Sequence, residues 1–94
     1  MKQQKFKGEL LGGHKDAAVE VPFDPEELWS IPASRLRPGR WGHHVEGRLN
    51  KMKFNGVVVP RSRKFWLVID GDLQQAADLS VGDVVEVSIG PRRM

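Results

Sequence analysis

The chain contains no cysteine, which removes disulfides, thiolate metal sites and cysteine nucleophiles together and points away from an oxidising compartment. It also lacks any apolar run of the roughly ten residues a signal peptide needs, or of the roughly twenty that would cross a membrane. The opening Met1-Lys2-Gln3-Gln4-Lys5 is polar. A cytoplasmic protein with no membrane partner is therefore expected. Gly12-Gly13 is followed by neither a lysine–serine/threonine pair nor a helix, so it is no phosphate loop. The few histidines are badly spaced for metal. His43 and His44 are adjacent and on a strand point to opposite faces, and His14 lies in a separate turn. No metal site and no cofactor are expected. His43 or His44 as a general base would have no nucleophile or orienting carboxylate near it in sequence, so both read as strand histidines. With nucleophile, metal set and cofactor motif all missing, no catalytic residue is assigned and the chain reads as no enzyme.

What is present is compact. The 94 residues suit one domain, 1–94, with no internal repeat and no low-complexity segment. A chain this short buries only about 60 to 65% of the surface its unfolded form exposes, which leaves monomer or oligomer open.

Residues 5 to 12 alternate, with Phe6, Gly8 and Leu10 on one side and Lys5, Lys7 and Glu9 on the other, the period-two pattern of a half-buried strand. A second strand spans Ala17 to Pro22, with Val19 and Val21 inward. Asp24-Pro25-Glu26-Glu27 then starts a short helix, about Pro25 to Ser30, in which Asp24 caps, proline suits the first helical position and the acids favour the positive end of the dipole. That explains these carboxylates better than paired acid–base chemistry does. Leu28 is the expected anchor of this helix, with Trp29 packing over the barrel end. Ile31 to Gly42 holds two prolines and two glycines without a sustained period and reads as an exposed loop. His43 to Leu49 alternates again, Asn50-Lys51 sits at a two-residue hairpin turn, and Met52 to Pro60 follows. The turn sets the register: Leu49 opposes Met52, Arg48 opposes Lys53, Gly47 opposes Phe54, leaving room for its ring, and Glu46 opposes Asn55. After a turn at Arg61-Ser62-Arg63, Lys64 to Ile69 has apolar residues on both faces and reads as a central strand. Asp72 with Gln75 predicts a capping box for a short helix lined by Leu73, Ala76, Ala77 and Leu79. The last strand is Val84 to Ile89, its core face Val85, Val87 and Ile89.

Together Phe6-x-Gly-x-Leu10, Val19-x-Val-Pro-Phe-Asp24, Val45-x-Gly-x-Leu49 with Phe54, and Val81-Gly-Asp-x-Val-x-Val87 resemble the family of the domain of unknown function nineteen-oh-five over nearly the whole chain. The resemblance implies a mainly β fold: a small double-split β-barrel, or pseudobarrel, of about six short strands capped by two short helices, related to the AbrB, MazE and MraZ type of DNA-binding regulator. It implies no activity, because the family has none established and a fold does not carry function with it. Two departures from the family pattern stand out. Lys51 sits where a glycine would suit a positive φ, which predicts local strain. The stretch from Ile31 to Gly42 is longer and more basic than its family counterpart.

Charge is the strongest functional signal. Between Arg35 and Lys64 nine basic residues face Glu46 alone, nine minus one or +8, while the whole chain is +3 and the remainder therefore −5. Arg48 facing Lys53 is an unfavourable like-charge rung that an anion would relieve, as would Glu46 two residues away on the same face. A basic surface made of Arg48, Lys53, Arg61, Arg63, Lys64 and Arg40, with Trp41 free to stack on a base, predicts a non-catalytic module for nucleic acid or another polyanion. A solvated basic surface balanced by the acidic remainder is the plain alternative. The rival functional expectation is a small-ligand or protein-binding accessory module whose barrel mouth is lined by aromatics, with Trp29, Trp41 and Trp66 forming the pocket or serving as core anchors.

Overall fold

A computed structural model describes residues 3–13 and 15–92. Seven strands and two short helices follow one another as β1 (Gln4–Glu9), β2 (Ala17–Val21), α1 (Pro25–Trp29), β3 (Ser34–Arg37), β4 (Arg40–Leu49), β5 (Met52–Arg61), β6 (Lys64–Ile69), α2 (Gly71–Ala76) and β7 (Val84–Pro91). All pairings are antiparallel, in the order β1-β7-β4-β5-β6-β2, with β3 attached to β4 off this path. The six strands of the path curl into a nearly closed barrel.

Every strand of the path places alternate side chains in one interior. Val19, Val45, Val58, Leu67, Ile69, Val85, Val87 and Ile89 are all buried there, as period-two burial requires. β1 and β2, at the two ends of the path, face each other along the remaining seam. Leu11 and Ala18 exchange both backbone hydrogen bonds at 2.9 Å. Elsewhere the seam is sealed by packing, since a Cβ on Gly8 would run into the Val19 side chain.

The antiparallel order gives the barrel two distinct ends. β2 finishes at Val21 opposite Phe65, so α1, the start of β4, the end of β5 and the start of β6 share one end, the α1 end. The turn between β4 and β5, the end of β6 and α2 occupy the other. At the α1 end Asp24 Oδ1 accepts from the Glu26 and Glu27 N–H groups at 3.0 and 3.5 Å, which caps the helix as its sequence predicts. The buried residues of α1 are Pro25 and Trp29, while the expected anchor Leu28 is 45% exposed. Pro25 and Trp29, four apart, lie about 40° from each other around the axis and share the inward face, and Leu28 lies about 100° from Trp29. Phe6, Phe23 and Trp29 meet edge to face, at centroid distances of 6.0 and 5.4 Å, and fill this end of the barrel.

Five other expectations are corrected. The segment Ile31 to Gly42 is no loop: β3 pairs with the first residues of β4 around Pro38-Gly39, and β4 begins at Arg40 rather than at His43. α2 is capped by Asp70, whose Oδ1 accepts from Leu73 N at 2.8 Å, and not by Asp72. Ala76, expected to line this helix, is exposed. The register of the turn between β4 and β5 is the expected one, yet the left-handed residue is Asn50, φ 52°, and Lys51 has no positive φ. Asparagine tolerates that conformation, and Asn50 is held there by Glu86, its N–H donating to the Glu86 carbonyl at 2.7 Å and its Oδ1 accepting from Glu86 N at 3.0 Å. Finally, it is β7 and not the Phe54 ring that requires Gly47 to be bare, since any Cβ there would meet the Ser88 carbonyl. The Phe54 ring lies over Gly56 instead.

Candidate functional site

The structure divides the basic block. Lys53 and Arg61 stand eight residues apart on β5, about 26 Å along an extended strand, in a body whose principal extents are 32 × 28 × 23 Å. Arg48 and Lys53 therefore lie toward the α2 end, whereas Arg61, Arg63, Lys64 and Arg40 belong to the α1 end with Arg35 and Arg37. The candidate residues form two surfaces, not one.

Two hairpins build the α1-end surface. In the first, Arg35 opposes Trp41 and Arg37 opposes Arg40. In the second, Arg61 opposes Lys64 around Ser62-Arg63. Both hairpins thus carry a like-charge rung beside the turn, each unfavourable by a few tenths of a kcal/mol. Lys64 is partly compensated by Glu20, Nζ to Oε1 3.4 Å, with both side chains about half exposed, a pair of little energetic weight. Among the described residues Arg35, Arg37, Arg40, Arg61 and Arg63 are exposed and make no ion pair. The nearby carboxylates are turned elsewhere, Asp24 to the α1 N–H groups and Glu26 to Ala33 N at 3.4 Å.

The second turn has an unusual backbone. Ser62 and Arg63 have φ of 54° and 63°, the left-handed pair that Asn-Gly normally occupies in a two-residue hairpin. An L-residue other than asparagine or glycine costs roughly 1 kcal/mol there, so the tip retains a cation at the expense of turn stability.

Trp41 is 57% exposed. Its neighbour Gly42 lies against Val58, Val59 and Leu36, so by alternation the indole points to the opposite face of the hairpin, the face it shares with Arg35. Among the described residues β3 has no further strand partner, so no third strand of theirs covers the ring. Leaving half an indole in water forgoes on the order of 2 kcal/mol of burial free energy. The other two tryptophans are elsewhere. Trp29 belongs to the core, its Nε1 buried without a partner among the described residues, and Trp66, half-buried, donates from Nε1 to the Arg61 carbonyl at 3.2 Å. The tryptophans do not gather into one pocket.

Toward the α2 end the expected rung of Arg48 and Lys53 is present. Arg48 Nη1 donates to the Lys51 carbonyl at 3.2 Å. Across β7, Arg48 opposes Ser88, and Ser88 opposes Lys5, which adds a cation that sequence reasoning placed on a different element. An open groove of about 540 Å³ runs beside this row, walled by Gln3, Glu46, Arg48, Lys53 and Asn55.

His43 is buried, 7% exposed, and its Nε2 lies 2.7 Å from the Ile31 carbonyl, an acceptor only, so Nε2 carries the proton. His14 lies outside the described residues. Among the described residues no group of three or more histidine, aspartate or glutamate side chains could hold a metal, and no helix is long and apolar enough to cross a membrane.

Fold and charge together define a small antiparallel β-barrel with two cationic hairpins at one end. Residues 6–89 match the family described as domain of unknown function DUF1905, and the chain belongs to that family. No curated protein matches it.

Proposed function

We propose that the protein is a non-catalytic module that binds a polyanion, above all a nucleic acid, on the α1-end hairpins. The observation that carries the reading is the pair of like-charge rungs, Arg37 with Arg40 and Arg61 with Lys64, with no ion-pair partner for the arginines among the described residues. Phosphates bridging such rungs would turn repulsion into attraction. The strained Ser62-Arg63 tip supports the same reading, since backbone strain that persists at an exposed turn points to a use for the side chain it presents. A cytoplasmic setting, expected from the absence of cysteine, would give access to such partners. The kinship with AbrB, MazE and MraZ regulators, and the double-split form of the barrel, are further expectations from the sequence resemblance, and the charge argument does not depend on them.

Retention on immobilised heparin and its elution with salt test the reading. Retention lost on neutralising Arg37, Arg40, Arg61 and Arg63 to glutamine, with the fold retained, is the expected result. Passage of the wild-type protein through the column at low salt would refute it.

A further inference from the structure

We infer that the nucleic acid taken by this surface is single-stranded, with one base stacked on Trp41. The inference rests on the polyanion reading and adds to it the chemistry of the ring. Cations alone do not choose between strands, because both duplex and single strand present phosphates. An indole does choose. In a duplex the base faces are occupied by their neighbours in the stack, whereas a single strand offers them to an aromatic platform.

The geometry fits such a platform. Trp41 is 57% exposed on a hairpin whose outer strand β3 has no further partner, so a base has room over the ring. Arg35 stands directly across from Trp41, where its planar guanidinium can stack on the base edge or take the adjoining phosphate. The Arg37–Arg40 rung is the next pairing toward the turn, and Arg61 and Arg63 flank the same end of the barrel. Trp41 and Arg35 thus put one stacking face and one cation on the same side of the hairpin, and the Arg37–Arg40 rung, which by alternation projects to the other side, adds charge at its turn, the composition of a sequence-tolerant single-strand site. Leu36 lies against Gly42 on the covered face, so the hairpin packs without involving the indole.

The test measures binding of fluorescent oligo(dT) and oligo(U) of about 12 nucleotides, a length within the range of small single-strand sites, beside a duplex of equal phosphate count and heparin. Wild type, Trp41→Ala and Trp41→Phe are compared, with circular dichroism as the folding control. The expected result is a loss of about tenfold or more on the single strands for Trp41→Ala, the usual worth of one stacked base, less than twofold on heparin and duplex, an unchanged salt slope, and near-complete rescue by Trp41→Phe. If wild type binds all four polyanions and Trp41→Ala binds oligo(dT) and oligo(U) within twofold of it, the polyanion reading stands and this inference is overturned. If wild type binds none of them, both fall. Should Trp41→Ala unfold, protection of the wild-type tryptophan emission from iodide on adding oligo(dT), but not heparin, replaces it, and absence of that protection overturns the inference.

Discussion

Replacing Ser62-Arg63 by Asn-Gly should make the protein more stable and a poorer polyanion binder at once. Both residues hold left-handed backbone, φ 54° and 63°, at roughly 1 kcal/mol each. Asn-Gly is the pair that a two-residue hairpin with this backbone prefers. Relief of the strain is offset in part by the greater freedom of glycine in the unfolded chain, about 0.5–1 kcal/mol. The net gain expected is about 1 kcal/mol, which in a domain of this size raises Tm by roughly 4–8 °C. The same change removes the cation at the tip, so the slope of log affinity against log salt should fall by close to one unit. Thermal melts by circular dichroism and salt titrations on the same preparations read both effects. The single change Ser62→Asn separates them, since it relieves strain at one position and leaves Arg63 charged. A double variant that melts no higher than wild type would refute the strain argument. One that is more stable yet binds with the wild-type slope would show that Arg63 makes no phosphate contact.

Val87 is 2% exposed on the core face of β7, and Val87→Asp should abolish the cooperative transition, because burying a carboxylate costs several kcal/mol in a domain whose whole stability is of that order. A melt within a degree or two of wild type would contradict the assignment of that face. Gly47→Ala should destabilise by about 2 kcal/mol through overpacking, since β7 must move to clear the Ser88 carbonyl; an unchanged Tm would show that the sheet gives way freely. Iodide should quench Trp41 most, Trp66 less and Trp29 least, following exposure of 57% for the first and 7% for the last, and single-tryptophan variants quenched to the same degree would contradict the packing.

The strands of the barrel were legible because period two is strong where one face is buried. Phe6 to Leu10, Val45 to Leu49 and Val85 to Ile89 each alternate without a break, and the Asn50-Lys51 turn then sets the pairing of Arg48 with Lys53. β3 was not legible. It is an edge strand with Leu36 as its one large apolar residue, and its arginines face water, so no alternation of hydrophobicity marks it. The division of the basic surface was hidden for a related reason. Residues continuous in sequence are carried to opposite ends by a ten-residue strand such as β5, and only the antiparallel order shows that Arg40 joins Arg61 at the end away from Arg48 and Lys53. Trp29 rather than Leu28 anchors α1 because a helix of five residues has no hydrophobic period to read. Gly47 answers to a backbone contact with β7, a strand some forty residues later, that local pattern cannot reveal.

The claim that the α1-end hairpins form an anion-binding surface is tested most directly by a salt titration of three proteins against the same labelled nucleic acids, starting from about 50 mM salt, where electrostatic binding is strong. They are wild type, a variant with Arg37, Arg40, Arg61 and Arg63 changed to glutamine, and a variant with Arg48 and Lys53 changed to glutamine. All the changed side chains are exposed, so folding should survive in each. Measurable, salt-dependent binding by wild type is expected, with a slope reduced by about three units in the quadruple variant and nearly wild-type behaviour when Arg48 and Lys53 are neutralised. A flat titration for wild type with single strands and duplex alike, or a loss at Arg48 and Lys53 as large as that at the hairpins, would contradict it.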